Sequence, residues 1–190
     1  MAIVLASQSP RRQELLQRIG VEDFKTLSLD IDESYPEGLS PEDTVRYIAK
    51  KKCDAAAALC APDDLIITAD TMVFLGNDRL GKPRDEEDAL RMLRELAGRA
   101  HTVCTGVSVR RGAQEERFAV STRVFFRPAT DDEIRAYIKT GEPMDKAGAY
   151  GVQSRGALFV ERIDGDFFNV MGLPVEQLGL VLARFGVKLL

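Results

Sequence analysis

Two adjacent arginines, Arg11 and Arg12, follow a short apolar run and a polar loop in the segment IVLASQSPRRQELL. Ser9 is a favourable N-cap and Pro10 a favourable first residue, so the arginines fall in the first turn of a predicted helix. Because the helix dipole is positive at that end, each cation there costs roughly 0.3–1 kcal/mol unless an anion binds. Ser7, the first-turn amides and the guanidinium groups together predict a phosphate site. The alternative is that both arginines are solvated on a surface helix.

The carboxylate of Asp70 interrupts an otherwise apolar run, LIITADTMVFL, together with Thr71. The run predicts a buried strand, and burying a carboxylate without partners costs several kcal/mol. We therefore expect donors, a metal ion or a cleft around Asp70, which is typical of a catalytic site. The alternative is a tight turn or β-bulge in which Asp70 bonds its own backbone.

Two lysines and a further carboxylate add charge near the ends of predicted elements. Lys52 falls on the apolar stripe of a predicted helix, where it either extends to solvent or meets an anion. Lys82, in the segment LGKPRD, is held extended by the following proline and precedes a helix capped by Asp85. Glu33, in the acidic run DIDES, is a candidate metal ligand or second carboxylate beside Asp70, and a solvated loop charge is the alternative.

The combination of arginines, lysines and a buried-strand carboxylate fits phosphoryl chemistry assisted by a divalent metal ion. The three cysteines lack metal-ligand spacing and there is one histidine, His101, which argues against a zinc site or a Ser-His-Asp triad. We expect His101 to be an ordinary polar residue at a strand entrance. Any metal is therefore expected to be a hard cation, Mg²⁺, Mn²⁺ or Co²⁺, held by Glu33, Asp70 and substrate oxygens.

Length and composition limit the class of protein. With 190 residues, of which 45% are hydrophobic, the chain is expected to form a single domain, 1–190, or two small lobes that share a core. The formal net charge of −4 argues against a nucleic-acid partner. No apolar run approaches the ~18 residues of a membrane-spanning helix, and no basic segment precedes the first apolar run. We therefore expect a cytoplasmic protein with no membrane partner.

Predicted strands and helices alternate along the chain without repeats or low-complexity linkers. One helix is predicted from about Pro41 to Ala61, and TDDE opens another with a capping box. Hairpins are predicted to turn near Gly112 and at Asp164 and Gly165. Helices between strands, together with hairpins, predict an α/β protein with a mixed sheet and flanking helices. Neither a P-loop nor a GxGxxG fingerprint is present.

Five segments, LASQSPRRQELL, ITADTMV, LGKPRD, GEPMDKAGAYGVQ and GDFFNVMGLP, resemble in order the signatures of the Maf family of nucleoside triphosphate pyrophosphatases. The matching segments extend over nearly the whole chain. The resemblance implies the Maf/inosine-triphosphatase-like fold, in which two lobes on an elongated sheet surround a cleft. It also implies hydrolysis of a nucleoside triphosphate substrate to the monophosphate and pyrophosphate with a divalent cation, and it suggests a homodimer.

The resemblance also implies a role for each matching position. Asp70 matches the proposed acceptor that activates the attacking water, and Glu33 matches an acidic residue that helps at the metal. The segment DKAGAYGVQ resembles the branch that acts on dTTP and UTP, and CTP or a modified pyrimidine nucleotide is a further candidate. The matching phosphate-contacting residues are Ser7, Arg11, Arg12, Lys52 and Lys82, and the positions implicated in substrate choice are Arg11, Thr71 and Gln153.

A rival prediction is a nucleotide-binding regulator of cell division or septum formation, which would need the phosphate site but not Asp70. Turnover separates the two, because a pure binder releases no pyrophosphate. A structural or interaction module is a third candidate, and the clustering of charges at element ends argues against it.

Overall fold

The structure, a computed structural model, describes residues 1–190, which form two compact units. The first unit comprises Met1–Asp70, Thr105–Val120 and Gly172–Leu190, and the second comprises Thr71–Cys104 and Ser121–Met171. No helix is both long enough and apolar enough to cross a membrane.

Strands and helices alternate along the chain, as the sequence predicts. The strands are β1 (Ile3–Leu5), β2 (Lys25–Thr26), β3 (Leu65–Leu75), β4 (Asp78–Leu80), β5 (Ala100–Arg111), β6 (Gln114–Phe126) and β7 (Val160–Asp164). The α-helices are α1 (Pro10–Arg18), α2 (Pro41–Ala57), α3 (Glu86–Leu96), α4 (Asp131–Ile138), α5 (Phe167–Met171) and α6 (Val175–Arg184). Three short 3-10 turns span Glu142–Asp145, Ala147–Ala149 and Arg155–Phe159.

The strands form a mixed seven-stranded sheet in the order β2-β1-β3-β5-β6-β7, with β4 beside β3. Strand β1 is parallel to both β2 and β3, with Leu5 opposite Ile67. Strand β4 is antiparallel to β3, and β7 is antiparallel to β6. A mixed sheet with flanking helices confirms the predicted α/β class.

In the first unit, helix α2 begins where the sequence indicates and lies directly on β5. The Ser40 hydroxyl accepts a hydrogen bond from the Asp43 amide at 3.1 Å, and Pro41 occupies the first helical position. At Gly106 an added Cβ would lie 2.6 Å from the Arg46 nitrogen, so only glycine allows this approach. The inward face of α2 buries Val45, Ile48, Ala49, Cys53 and Ala56.

The second unit is organised around helices α3 and α4, which pack on each other. The Asp85 carboxylate accepts a hydrogen bond from the Asp88 amide at 2.8 Å and caps α3. The predicted capping box of α4 is present, since the Thr130 amide donates to Glu133 and the Glu133 amide donates to the Thr130 hydroxyl.

Helix α2 ends at Ala57, four residues before the predicted end at Ala61. The Asp64 carboxylate accepts hydrogen bonds from the Ala61 amide at 3.2 Å and from the Ala2 amide at 2.8 Å. These bonds draw residues 61–64 into a turn beside the start of β1, so Cys60 lies outside the helix.

The prediction of a second hairpin at Asp164 and Gly165 is wrong, because β7 is followed by helix α5. The Asn169 side chain on α5 is fully buried and donates to the Val103 carbonyl at 3.0 Å and to the Thr122 hydroxyl at 2.9 Å. A strand would place successive side chains on opposite faces, whereas a helical turn lets Asn169 reach strands β5 and β6.

His101 is the second residue of β5, at the strand entrance, and is 3% exposed. Its Nε2 atom lies 2.8 Å from the Tyr150 hydroxyl, and its ring makes edge contacts with Phe126 and Tyr150. The other ring nitrogen, Nδ1, is buried without a hydrogen-bond partner. Burial lowers the pKa of His101 from 6.5 to about 4, so the ring is neutral at pH 7.

We predict that His101 makes the protein less stable in acid. The unfolded chain binds a proton at this ring near pH 6.5 and the folded chain only near pH 4, so stability falls as the pH drops through that window. The full difference corresponds to roughly 3 kcal/mol of unfolding free energy. Denaturant unfolding at pH 7 and pH 4.5 should show a larger loss for the wild type than for His101→Gln. Equal losses in the two proteins would contradict this prediction.

Candidate active site

Asp70 lies within the unbroken strand β3 and is 6% exposed. The alternative of a turn at this position therefore does not hold. One carboxylate oxygen, Oδ1, accepts a hydrogen bond from the Lys52 ammonium at 2.8 Å, and the other, Oδ2, is buried without a partner. A buried acceptor that lacks a donor costs about 1–3 kcal/mol, so Oδ2 favours any proton donor or cation that reaches it.

Lys52 meets anions rather than extending to solvent. Its ammonium lies 2.8 Å from Asp70 Oδ1 and 2.9 Å from Glu33 Oε1, and the side chain is only 14% exposed. The two carboxylates differ in burial, since Asp70 is buried and the Glu33 side chain is 56% exposed. The lysine thus joins a buried carboxylate to one that is open to solvent.

Arg12 is half-buried and held by three oxygen acceptors. Its Nε donates to the Gly172 carbonyl at 2.8 Å, and its Nη1 donates to the Ala69 carbonyl at 2.8 Å and to the Ser7 hydroxyl at 3.3 Å. Burial lowers the pKa of Arg12, while the nearby negative charge of Asp70 opposes that change. Because a guanidinium group keeps its charge in proteins, Arg12 is a fixed cation next to the strand that carries Asp70.

The loop before α1 places Ser7 at the same location. The Ser7 hydroxyl accepts from the Ser9 amide at 3.2 Å as well as from Arg12. Ser9 occupies the N-cap position, and its side chain does not cap the helix. Arg11 and Arg12 both lie in the first turn of α1, as the sequence predicts.

In the first unit, Arg12 contacts Ser7, and Lys52 contacts both Glu33 and Asp70. The bond from Arg12 to the carbonyl of Ala69, the residue before Asp70, places the two groups next to each other. Lys82, Thr71 and Gln153 belong to the second unit. Lys82 and Gln153 are exposed, and Thr71 is half-buried on β3. The Gly148 amide donates to the Gly81 carbonyl at 3.0 Å, which ties the loop of Lys82 to the turn Ala147–Ala149.

The segment KAGAYG has two successive residues in the left-handed region. Gly148 has a φ of 69° and Ala149 a φ of 60°, and Ala149 is the one residue other than glycine with a positive φ. An added Cβ at Gly148 would lie 2.9 Å from a methyl group of Val73, so glycine is required there for space as well as for conformation. Left-handed backbone at a residue such as Ala149 costs about 1–2 kcal/mol and is typical of functional loops.

The carboxylates fit part of a hard-cation site. No group of three or more His, Cys, Asp or Glu side chains converges anywhere in the chain. Glu33 and Asp70 nevertheless approach one ammonium, and Asp70 Oδ2 is an oxygen ligand with no competing donor. Divalent cations such as Mg²⁺ are commonly held by one or two carboxylates together with phosphate oxygens and water.

The fold is shared with known proteins of low sequence identity. The structure aligns with the Ham1 protein of Staphylococcus aureus at a TM-score of 0.55 and 14% identity, covering 97% of this chain and 100% of that chain. A HAM1 protein from Coxiella burnetii aligns at a TM-score of 0.53 and 12% identity, over 97% and 99% of the two chains. At such low sequence identity, these alignments establish a similarity of fold alone.

Sequence comparison defines the family. The family model described as Maf-like protein matches residues 2–185, so the chain belongs to the Maf family. A dTTP/UTP pyrophosphatase of Bacillus velezensis is 46% identical over 186 residues, which are 98% of this chain and 97% of that protein. A dTTP/UTP pyrophosphatase of Geobacillus sp. is 47% identical over 184 residues, with 97% and 98% coverage.

We predict a strong energetic coupling between Lys52 and Asp70. Replacing Lys52 alone leaves the buried Asp70 carboxylate without its partner, and replacing Asp70 alone leaves Lys52 with only the exposed Glu33. Replacing both removes both charges. Unfolding free energies of Lys52→Met, Asp70→Asn and the double variant should give a coupling of about 1–3 kcal/mol. The exposed pair Arg18 and Glu14 on α1 is the control and should show a coupling of at most about 0.5 kcal/mol. Additive effects at Lys52 and Asp70 would contradict the assignment.

Proposed function

We propose that this protein hydrolyses dTTP and UTP to the nucleoside monophosphate and pyrophosphate with the help of a divalent cation. The observation that carries the proposal is the buried Asp70 carboxylate, which has one oxygen bonded to Lys52 and the other without a partner. Relatives named dTTP/UTP pyrophosphatase that match nearly the whole chain support this reaction over nucleotide binding without turnover.

In the proposed reaction, Asp70 accepts the proton of the attacking water. Hydrolysis between the α- and β-phosphates requires an in-line water and a base that raises its nucleophilicity. Oδ2 of Asp70 has no other donor to satisfy, so it is free to receive that proton. Lys52 holds Oδ1 and thereby keeps the carboxylate in one orientation.

The cations of the site stabilise the charge that develops on the departing pyrophosphate. Arg12 is oriented by oxygen acceptors before any substrate binds, so little reorganisation is needed during the reaction. We assign Ser7, Arg11, Lys52 and Lys82 to the phosphates as well. A divalent cation bound with Glu33 and Asp70 would supply Lewis-acid polarisation of the phosphate oxygens.

Gln153, with Thr71 and Arg11, is proposed to select the base. An amide side chain carries both a donor and an acceptor, so it can pair with the O4 and N3 edge of uracil or thymine. The exposed position of Gln153 at the end of the segment KAGAYGVQ leaves that amide accessible to a ligand.

We also propose that the protein acts in the cytoplasm as a homodimer, without nucleic-acid or membrane partners. Cys53, Cys60 and Cys104 are thiols that form no disulfide, which is typical of a reducing compartment. The homodimer follows from resemblance to the family.

We predict that the purified protein with Mg²⁺ releases pyrophosphate from UTP and dTTP in a panel of natural and modified triphosphates. EDTA should abolish this release, and Mg²⁺, Mn²⁺ or Co²⁺ should restore it, because oxygen ligands favour hard cations. Full hydrolysis in EDTA after removal of bound ions would contradict the metal requirement. Tight nucleotide binding with no release of pyrophosphate would instead favour the regulator.

We predict that Gln153→Ala loses base discrimination at little cost in kcat. Each hydrogen bond lost in a site that reads one base edge changes discrimination by about 1–3 kcal/mol. The measurement is kcat/KM for dTTP, UTP, CTP and GTP in both proteins. An unchanged ranking in the variant, or a wild type that prefers purines, would remove Gln153 from base recognition.

A further inference from the structure

The loop of residues 151–156, which carries Gln153, is held at both ends and exposed in the middle. Gln153, Ser154 and Arg155 are exposed, whereas Gly151 and Gly156 at the two ends are buried. A base-reading side chain on an exposed loop needs a fixed backbone, because ordering a mobile loop on binding reduces affinity.

A single carboxylate, that of Glu142, bonds to the three residues that follow Gln153. Its Oε1 accepts from the Ser154 hydroxyl at 2.6 Å and from the Gly156 amide at 3.1 Å. Its Oε2 accepts from the Arg155 amide at 3.2 Å. Both carboxylate oxygens of Glu142 therefore accept hydrogen bonds from the loop.

Tyr137 on helix α4 joins this carboxylate to the other end of the loop. Its hydroxyl donates to Glu142 Oε1 at 2.8 Å and accepts from the Gly151 amide at 3.1 Å. Tyr137 is buried, so the loop is anchored to the rigid face of a helix. Gln153 therefore lies between two fixed points, Gly151 and Gly156.

Gly156 must be glycine for this arrangement to close, and Gly151 is closely packed. An added Cβ at Gly156 would lie 2.7 Å from the Tyr137 hydroxyl, and one at Gly151 would lie 3.2 Å from Glu142 Oε1. The backbone at Gly156 thus approaches Tyr137 more closely than any other residue type would allow, whereas a Cβ at Gly151 would require small shifts of the Lys146 and Glu142 side chains.

Glu142 is an ionised acceptor and Tyr137 a neutral donor, as the hydrogen bonds to the loop require. Burial would raise the pKa of Glu142, but hydrogen bonds from Ser154, Tyr137 and the loop amides outweigh burial and hold that pKa below its ordinary value. Burial, together with the adjacent Glu142 carboxylate, raises the pKa of Tyr137, which therefore remains a donor. A carboxylate is an acceptor only, so it matches a ring of donors without conflict.

We propose that Glu142 is a positioning residue for base recognition, which with Tyr137 fixes the 151–156 loop so that Gln153 meets the base in one orientation. The inference rests on the proposed function, in which Gln153 reads the base. Glu142→Gln would turn an amide donor toward the donors of the loop, and Glu142→Ala would remove every side-chain bond to the loop.

The test combines kinetics with limited proteolysis. Glu142→Ala should lower kcat/KM for UTP and dTTP about tenfold, mainly through KM, if the binding-competent loop falls to about one tenth of the population. The kcat/KM values for CTP and GTP, whose bases Gln153 does not fit, should change little. The preference for UTP and dTTP over CTP and GTP, measured as the ratio of kcat/KM values, should therefore fall about tenfold. Cleavage by trypsin after Arg155 should become about tenfold faster in the same variant. Glu142→Gln and Tyr137→Phe should give intermediate values for both measurements.

Glu133→Ala is the matched control because it removes the capping box from the same helix, α4, without touching the loop. Glu133→Ala should lower the melting temperature but leave unchanged both the ratio of kcat/KM values between triphosphates and the rate of trypsin cleavage after Arg155. If Glu142→Ala behaves like this control, or lowers kcat/KM equally for all four triphosphates, the positioning role is overturned. If Glu142→Ala does not fold, Glu142→Gln and Tyr137→Phe decide by the same criteria. If the wild type itself does not discriminate between bases, the proposed base preference fails, and the trypsin rates alone decide whether Glu142 fixes the loop.

Discussion

The ion pair between Lys52 and Asp70 is the interaction on which the rest of the site depends. Strand β3 is mostly apolar and largely buried, and a carboxylate in its middle is tolerated because an ammonium from α2 reaches it. That reach requires α2 to lie close to the sheet. The glycine contact at Gly106 and the hydrogen bond from the Thr68 hydroxyl to the Ala49 carbonyl, 2.7 Å long, fix α2 against its neighbours.

The pairing satisfies only half of the carboxylate, and the proposed chemistry uses the other half. Lys52 bonds to Oδ1, and Arg12 bonds to the backbone carbonyl of the adjacent residue, Ala69, rather than to Asp70 Oδ2. An unpartnered buried oxygen lowers stability, and such costs are typical of functional sites. The strained backbone at Ala149, in the segment that leads to the loop of Gln153, is a second example in the same chain.

Local signals made much of the fold predictable. Ser40 with Pro41 and Thr130 with Glu133 act within one helical turn, so their helices begin where expected. Asp70 was recognisable because a charge within an apolar run is anomalous at any position in a strand. The second hairpin was not predictable as a helix, because Asn169 selects it through contacts with residues 47 and 66 positions away.

The partners of the charged residues could not be predicted from the sequence either, because they are distant along the chain. The periodicity of α2 places Lys52 on the inner face but does not say which residue lies opposite. Arg12 binds the Gly172 carbonyl 160 residues away, and a backbone acceptor has no sequence signature. In the segment GEPMD, Glu142 resembles an ordinary charged loop residue. Only the fold shows that its carboxylate accepts hydrogen bonds from residues 154–156.

The central claim, that Asp70 accepts the proton of the attacking water, is tested most directly by Asp70→Asn under single-turnover conditions. Asparagine has nearly the same shape but cannot act as the base, and a positioned base contributes about 10²–10⁴ to the rate. The account predicts a folded variant that binds a non-hydrolysable UTP analogue with little change in Kd and hydrolyses UTP at least about a hundredfold more slowly. A variant that cleaves UTP at the wild-type rate would contradict the account.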